Sequence, residues 1–195
     1  MIRFFDILIS VVGLIILLPF LIILAIAISV ESKGGIFYMQ IRVGKNNEDF
    51  KLFKFRSMAT GSDKKGLLTV GKNDNRITKV GKFIRKYKLD EFAQLINVVK
   101  GDMSLVGPRP EVRKYVEMYS KEQMKVLNTK PGITDYASIE FSNENELLEK
   151  AEEPEKYYIQ KIIPHKIELN FKYINNKSIL QYFVIIFKTF FKIIK

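Results

Sequence analysis

The sequence predicts a mainly α-helical chain with a small β-hairpin (an α+β fold), flanked by a helix at each end that meets a membrane. Three observations predict this: a long uncharged N-terminal segment, polar side chains at helical spacing near the C-terminus, and one short alternating run between glycine-rich segments. With 195 residues, 47% of them hydrophobic, the chain can bury one core. We expect a membrane helix over residues 1–30, a central domain over 31–175 and an amphipathic membrane-surface helix over 176–195.

The N-terminal segment carries no charged residue from Ile7 to Val30. As a single helix it would be roughly 36 Å long, enough to cross a bilayer core. Ala25-Ile26-Ala27 resembles a signal-peptide cleavage site, but the apolar run is too long and the residues before it are not clearly positive. A spanning helix fits the length. A helix kinked at Pro19 could instead enter and leave through one leaflet, with Arg3 and Lys33 in the same headgroup layer.

The C-terminal run SILQYFVIIFKTFFKIIK predicts a basic amphipathic helix. Its polar residues form one stripe, interrupted by Ile185, and the remaining positions are Phe, Ile, Tyr, Leu, Val and Thr. Such a helix lies in the bilayer interface or packs on the protein's own core, and the pattern fits both. The stripe consists of Ser178, Gln181, Lys188, Lys192 and Lys195.

The alternating run KLFKFR, residues 51–56, predicts a strand or hairpin. Interleaved basic and aromatic residues also occur in nucleic-acid-binding proteins, but no motif of that class accompanies them, and we expect no nucleic-acid partner. Residues 61–82 contain four glycines and Asn73-Asp74-Asn75, which predicts loops. They include neither a Walker A loop nor a dinucleotide-binding glycine motif.

Composition limits the chemistry that is available. The chain has no cysteine, which excludes disulfides and thiolate metal sites, and a single histidine, His165, which more often is an ordinary surface residue. A metal would therefore be bound by oxygen atoms, which favours Mg²⁺, with Mn²⁺ as the alternative. The net charge of +11 lies in residues 31–195, although seven glutamates between Glu140 and Glu155 face only Lys150. Such a surface attracts anionic lipid or phosphorylated substrates.

Residues 85–102, RKYKLDEFAQLINVVKGD, predict a helix that ends at Gly101. Asp90 and Glu91 fall in its first turn, where the helix dipole and free N–H groups favour a carboxylate or a bound phosphate. Acidic residues in a first turn often act only as helix stabilisers. The predicted apolar face consists of Leu89, Phe92, Ala93, Ile96 and Val99.

The following segment, GDMSLVGPRP, places Arg109 between Pro108 and Pro110. Two prolines stiffen the chain, so the guanidinium is held in a fixed turn, where it can bind phosphate through two hydrogen bonds. Arg85 precedes Asp90 by about one and a half helical turns if the helix extends back that far. Two arginines, two carboxylates and a membrane anchor indicate phosphoryl transfer with a lipid-borne partner.

The run DNRITKVGKFIRKYKLDEFAQLINVVKGDMSLVGPRPEV resembles the core of the bacterial sugar transferases, which are polyprenyl-phosphate sugar-1-phosphate transferases. The chain is similar to their small monotopic form. The similarity extends to QIRVGKNNEDFKLFKFRSM, to KPGITDYAS and to IRFFD, and so covers nearly the whole sequence.

This resemblance implies an activity. The enzyme would move a phosphosugar from a UDP-sugar, with an N-acetylated or amino-modified hexose, to undecaprenyl phosphate at the cytoplasmic face of the bacterial inner membrane. It would release UMP and start a glycan. Asp90 would attack the β-phosphorus to give a covalent aspartyl phosphosugar, and Glu91 would assist. Mg²⁺ would be held by Asp90 and the diphosphate, and the N-terminal segment would be a re-entrant helix broken at Pro19.

The remaining candidates follow from the same resemblance. Lys54, Arg56, Arg85 and Arg109 are expected to bind substrate phosphates. The family's PGITGW reads PGITDY here, so Asp135 and Tyr136 alter a loop expected near the sugar or nucleotide. Asp135 could meet an amino or hydroxyl group of an unusual sugar or make a hydrogen bond within its own loop. The sequence leaves a homodimer open.

A non-enzymatic alternative is a membrane module in which two lipid-binding helices flank a basic domain that docks on anionic lipid. This interpretation accounts for the charge and the amphipathic ends. It does not account for the Asp90-Glu91 pair or for the stiff turn around Arg109.

Overall fold

The computed structural model describes residues 1–62 and 74–194, with side chains described through residue 192, and it is mainly helical. The α-helices are α1 (Ile2–Glu31), α2 (Lys79–Lys86), α3 (Gln94–Lys100), α4 (Arg113–Val116), α5 (Lys121–Met124), α6 (Tyr136–Glu140), α7 (Glu144–Glu149), α8 (Pro154–Tyr157), α9 (Ile163–Asn175) and α10 (Ile179–Ile194). The strands are β1 (Phe37–Val43), β2 (Asp49–Phe55), β3 (Ser104–Val106) and β4 (Gly132–Thr134). Short 3₁₀ turns cover Lys45–Asn47, Leu89–Ala93 and Lys125–Asn128, and a π-turn covers Tyr158–Ile162.

The N-terminal helix α1 is continuous and includes Pro19. Among the described helices it is the one long and apolar enough to cross a membrane. Most of its apolar side chains are exposed, whereas one side of its C-terminal half packs through Leu21, Leu24 and Ile28. The break expected at Pro19 is not confirmed, and the path of α1 relative to a bilayer stays a prediction.

Both ends of α1 contact the same domain. Near its start, the Arg3 guanidinium donates to the carbonyl oxygens of Val98 and Val99 at 2.5 and 3.0 Å and so caps the end of α3. At its end, the Glu31 carboxylate accepts hydrogen bonds from the backbone N–H groups of Lys79 and Val80 at 2.7 and 2.8 Å, at the start of α2. The domain that follows α1 in sequence therefore contacts this helix at both of its ends.

The predicted hairpin is confirmed. Strands β1 and β2 pair antiparallel, from Phe37 opposite Phe55 to Val43 opposite Asp49. The connection turns through Asn46 and Asn47, both with positive φ, a conformation that asparagine tolerates better than most residues.

The sequence did not predict the second sheet, in which β3 and β4 pair in parallel. These strands approach closely at Gly107 and Gly132. A Cβ atom on Gly132 would lie 2.1 Å from the backbone nitrogen of Gly107, so only glycine fits there. This contact holds the Pro108–Pro110 turn against β4.

The predicted helix around Asp90 is confirmed in part. It begins as the 3₁₀ turn at Leu89, with Asp90 and Glu91 in the first turn, and α3 ends at Gly101, whose φ is +100°. Lys88 adopts a left-handed conformation (φ +53°), so Arg85 lies on the separate helix α2 and the helix does not extend back to it.

The predicted apolar face of this helix is wrong beyond Ala93. Ile96 is half-buried and Val99 is exposed, whereas Leu95, Asn97 and Val98 are buried. The reason is geometric, because a 3₁₀ turn has three residues per turn and rotates the face of the α-helix that follows it.

Helix α10 packs on the protein's own core, one of the two alternatives that its sequence allowed, and its place in a bilayer interface stays a prediction. Ile185, which interrupts the polar stripe, is fully buried beside Tyr182 in the core, and Thr189 shares a hydrogen bond with Thr134 of β4 at 2.6 Å. Its outward side exposes four large apolar side chains, Leu180, Phe187, Phe190 and Phe191. The stripe residue Lys195 lies outside the described residues.

The loop predicted over residues 61–82 is described only at its two ends, because 63–73 lie outside the described residues. Helix α2 begins at Lys79, inside the predicted loop, with the side chain of Thr78 as its N-cap. A Cβ on Gly81 would meet the Ser57 carbonyl oxygen at 1.9 Å, so α2 packs directly on the segment after β2.

Candidate functional site

A cavity of about 410 Å³ lies where the hairpin, α2, the 3₁₀ turn, the Pro108–Pro110 turn and the helices α6 and α9 meet. Seven of the predicted site residues line it, among them Arg56 and Asp135, and the other five carry the charges considered first. These five are Lys54, Arg85, Asp90, Glu91 and Arg109.

Local structure explains how the two carboxylates reach this cavity. Leu89 and Ala93 of the 3₁₀ turn are buried in the core together with Ile84 of α2. Because these neighbours point inward, Asp90 and Glu91 between them lie at the cavity wall.

Arg109 and Glu91 form an ion pair with two hydrogen bonds. The two terminal nitrogens of the guanidinium reach the two oxygens of the carboxylate at 3.1 and 2.7 Å. The Arg109 guanidinium also donates to the Ile133 carbonyl oxygen at 3.3 Å, and its backbone N–H donates to the Asp135 carboxylate at 3.0 Å. Arg109 is therefore fixed at its backbone and at its side chain, as the two flanking prolines predicted.

This pairing gives Glu91 a low pKa. Burial alone raises the pKa of a carboxyl group, but the charge and hydrogen bonds of Arg109, with help from Lys54, outweigh it and bring the pKa of Glu91 to about 2. Glu91 is thus an anion with both oxygens held by one arginine.

Asp90 behaves in the opposite way. Its burial at the wall and the neighbouring charge of Glu91 raise its pKa, and the positive charges of Lys54, Arg85 and Arg109 only partly offset this. Burial beside the cation of Arg109 also lowers the pKa of Lys54 to about 8. Two adjacent carboxyl groups with separated pKa values suit two different roles.

The structure places the other predicted residues as follows. Asp135 is fully buried, and its carboxylate accepts from the backbone N–H groups of Arg109 and Ser138, which is the local hydrogen bonding that the sequence also allowed. Arg56 lines the cavity, but its guanidinium donates to the backbone oxygens of Gly35, before β1, and of Phe37, at the start of β1. The Tyr136 ring lies under the ammonium of Lys188, 5.8 Å from its centroid, and packs on the core.

Sequence reasoning missed a second support of the Arg109 turn. The Arg42 guanidinium donates to the Pro110 carbonyl oxygen and to the Glu111 carboxylate, both at 3.1 Å, and to the Gln40 side chain. Glu111 also accepts a hydrogen bond from the hydroxyl of Tyr158. The alternation in QIRV already indicated that Gln40 and Arg42 share one strand face, but their partners lie about 70 residues away along the chain.

A family model matches the whole chain, and several curated proteins are similar to it. The model of the bacterial sugar transferases matches residues 1–195. A UDP-N-acetylgalactosamine-undecaprenyl-phosphate N-acetylgalactosaminephosphotransferase of Aeromonas hydrophila is 38% identical over 190 residues, 96% of this chain and 42% of that protein. A UDP-glucose:undecaprenyl-phosphate glucose-1-phosphate transferase of Klebsiella pneumoniae is 38% identical over 194 residues, 97% of this chain and 39% of that protein.

A shorter relative matches over most of its own length. The exopolysaccharide production protein ExoY of Sinorhizobium fredii is 32% identical over 202 aligned positions, 96% of this chain and 82% of that protein. By contrast, the chain spans only about two fifths of the two longer relatives.

Proposed function

Because the chain belongs to the bacterial sugar transferase family, we propose that it transfers a sugar 1-phosphate from a UDP-sugar to undecaprenyl phosphate and releases UMP. The observation that carries this proposal is the cavity that gathers Asp90 and Glu91 with the cations of Lys54, Arg85 and Arg109. A diphosphate substrate and a lipid phosphate both require such cations.

Asp90 is the nucleophile in the first step. One of its carboxylate oxygens attacks the β-phosphorus, and the bond between this phosphorus and the bridging oxygen breaks. UMP leaves with the electron pair, and a covalent aspartyl phosphosugar remains. Glu91 is less suited to attack, because Arg109 holds both of its oxygens.

The second step releases the product. A phosphate oxygen of undecaprenyl phosphate attacks the phosphorus of the aspartyl phosphosugar, and the bond to the Asp90 oxygen breaks, which restores the carboxylate. The cations of Lys54 and Arg85 stabilise the charge on the transferring group in both steps. The Glu91–Arg109 pair keeps the guanidinium aligned toward the same group.

We propose that Asp90, together with oxygens of the diphosphate, would hold Mg²⁺ or Mn²⁺, because both ions prefer oxygen ligands. The described part of the chain holds no group of three or more carboxylate or histidine side chains placed to bind a metal, so substrate oxygens would complete the coordination. When bound, the ion supplies positive charge that neutralises the diphosphate.

Membrane attachment from the cytoplasmic face, without crossing, agrees with the contacts of α1. A straight helix of 30 residues is about 45 Å long, yet its two ends bind the same domain through Arg3 and Glu31. A helix that crossed the bilayer would carry one end away from that domain. The exposed aromatic side of α10 would lie in the same interface.

We propose that the transferred sugar is an N-acetylated or amino-modified hexose and that the product starts a bacterial glycan. The names of the relatives include both N-acetylgalactosamine and glucose, so the family alone leaves the sugar open.

The test is UMP release by the purified protein in lipid nanodiscs with Mg²⁺, undecaprenyl phosphate and a panel of UDP-sugars. We expect continuous UMP release with at least one UDP-sugar, and a halt after at most one turnover when undecaprenyl phosphate is omitted. If no UDP-sugar supports release, the proposed function is wrong.

A further inference from the structure

The cavity has two chemically different walls. One is cationic and carries Lys54, Arg76, Arg85 and Arg109, from β2, the segment before α2, α2 itself and the Pro108–Pro110 turn. The other is formed by α6, α7, α9 and the segments after α6 and α8, and beside aliphatic and charged side chains it carries six hydroxyl, amide and aromatic ones. These are Ser138, Phe141, Ser142, Asn145, Tyr158 and Asn170, which we call the amide wall.

Charges on this second wall are paired. Lys166 and Glu144 line it, but they form an ion pair with one another, and the Lys166 ammonium lies over the ring of Tyr158, 5.1 Å from its centroid. The amide wall is therefore suited to a neutral, hydroxylated ligand rather than to a phosphate.

Two polar atoms of the amide wall have no hydrogen-bond partner within the described chain. They are the hydroxyl oxygen of Ser138 and the side-chain amide oxygen of Asn170, a residue that is only 5% exposed. Ser138 is on α6 and Asn170 is on α9, two helices that pack together. Buried polar atoms are nearly always hydrogen-bonded, so a pair of this kind beside a cavity points to a ligand that supplies the partners.

The position of Ser138 indicates which part of the substrate reaches this wall. The Asp135 carboxylate accepts hydrogen bonds from the backbone N–H groups of both Arg109 and Ser138. Asp135 alone therefore separates the start of the amide wall from the arginine that holds Glu91. In a UDP-sugar the hexose is bonded directly to the β-phosphate, whereas the uracil is separated from it by the α-phosphate and the ribose. The hexose is therefore the part that lies next to the reacting phosphorus.

We propose that the amide wall is the sugar subsite and that it selects a hexose with an acetamido group, an inference that rests on the proposed function. The amide oxygen of Asn170 accepts a hydrogen bond from the acetamido N–H, and the hydroxyl of Ser138 donates to its carbonyl oxygen. The ring of Phe141, which is only partly buried, packs against the apolar face of the sugar.

The test compares kcat/KM for UMP release from UDP-GlcNAc and UDP-GalNAc with that from UDP-glucose and UDP-galactose. We expect the native protein to favour the acetamido sugars at least tenfold. Asn170→Ala and, independently, Ser138→Ala should each reduce this preference about tenfold, since each removes one hydrogen bond to the acetamido group. The matched control Asn143→Ala, at an exposed position outside the cavity, should leave the preference unchanged.

Three results would overturn the subsite. They are a native protein without the preference, variants that keep it in full, and variants that lose activity equally with all four UDP-sugars, which would assign these atoms to the UDP part. A second measurement is independent of turnover: UDP-GlcNAc should raise the melting temperature of the native protein more than UDP-glucose does, and Asn170→Ala should remove that difference.

The outcomes separate the two proposals. If the native protein releases UMP but the preference does not respond to Asn170→Ala and Ser138→Ala, only the subsite is wrong. If it releases UMP from none of the UDP-sugars, the proposed function fails and the sugar subsite fails with it.

Discussion

At the scale of single residues, the Glu91–Arg109 pair makes the two neighbouring carboxyl groups chemically different. Glu91 is held as an anion by two hydrogen bonds, while Asp90 beside it keeps a raised pKa. In the proposed mechanism, this pair orients the guanidinium toward the transferring phosphoryl group.

The first prediction concerns this pair. Glu91→Gln replaces the anion with an amide that can no longer accept two charge-assisted hydrogen bonds from Arg109, and we expect kcat for UMP release to fall about 100-fold. Arg109→Lys should reduce kcat by a similar factor, because an ammonium cannot form the two parallel hydrogen bonds that a planar guanidinium makes to a carboxylate or phosphate. The exposed control Glu117→Gln should behave like the native protein. Near-native turnover in Glu91→Gln would contradict this role.

The second prediction concerns pH. Since burial lowers the pKa of Lys54 to about 8, its ammonium is charged below that pH and neutral above it. Activity should therefore fall as the pH rises through about 8, and Lys54→Arg should move this loss to higher pH because arginine keeps its proton. On the acid side, activity should appear as Asp90 loses its proton, above the pKa of an ordinary aspartate. A pH profile of kcat/KM measures both limbs, and an unmoved alkaline limb in Lys54→Arg would assign that limb to another group.

Sequence reasoning found the residues whose signals are local. Asp90, Glu91 and Arg109 are predictable because first-turn acids and a proline-flanked arginine are visible within twenty residues. Arg42 and Glu111 were missed because their contact joins two distant segments. For Asp135 the sequence offered a hydrogen bond within its own loop only as one of two roles. Its place as the buried N-cap of α6 depends on how β4 docks on β3.

At the scale of elements, the parallel pair β3–β4 positions the Arg109 turn. Gly132→Ala would place a methyl group 2.1 Å from the Gly107 nitrogen, so the strands must move apart. We expect this substitution to destabilise the protein by about 3 kcal/mol, a typical upper cost of overpacking. Chemical or thermal unfolding in detergent measures it. Gly13→Ala, whose nearest neighbour would be 3.7 Å away, is the matched control and should not destabilise.

The path of α1 gives a prediction at the same scale. The chain has no cysteine, so Phe4→Cys, beside Arg3, and Lys33→Cys each introduce a unique thiol near one end of the helix. Because both ends are bound to one domain, we expect a membrane-impermeant maleimide to label both thiols from the side of the membrane that holds this domain. Labelling from opposite sides of sealed vesicles would show that α1 crosses the bilayer.

In the helix after Lys88, a period of 3.6 residues predicts the wrong buried face. The pattern correctly predicted a helix that ends at Gly101, but the 3₁₀ turn at its start moved Val99 outward and Leu95 inward. Such a turn leaves no clear mark in the sequence, because it depends on how Leu89 and Ala93 fit the core.

At the scale of the whole molecule, composition and periodicity were enough for the helical class, the hairpin and the apolar N-terminal helix. They could not reveal β3 and β4, because three-residue strands are too short to show alternation. They also could not decide how α10 packs, since one side of it enters the core and the other exposes aromatic rings.

A buried carboxylate that the sequence analysis did not single out connects three elements of the fold. The buried Asp6 carboxylate of α1 accepts hydrogen bonds from the Ser104 hydroxyl, the Leu105 backbone N–H and the Tyr182 hydroxyl, each at 2.9 Å. It joins the N-terminal helix, β3 and α10 at one point.

The central claim, that Asp90 attacks phosphorus, is tested most directly by the intact mass of the protein after brief incubation with UDP-sugar and Mg²⁺ without undecaprenyl phosphate. We predict a mass increase of one sugar phosphate, located on Asp90 by peptide mapping, lost when undecaprenyl phosphate is added and absent in Asp90→Asn. An adduct that persists in Asp90→Asn, or that maps to another residue, would contradict the claim.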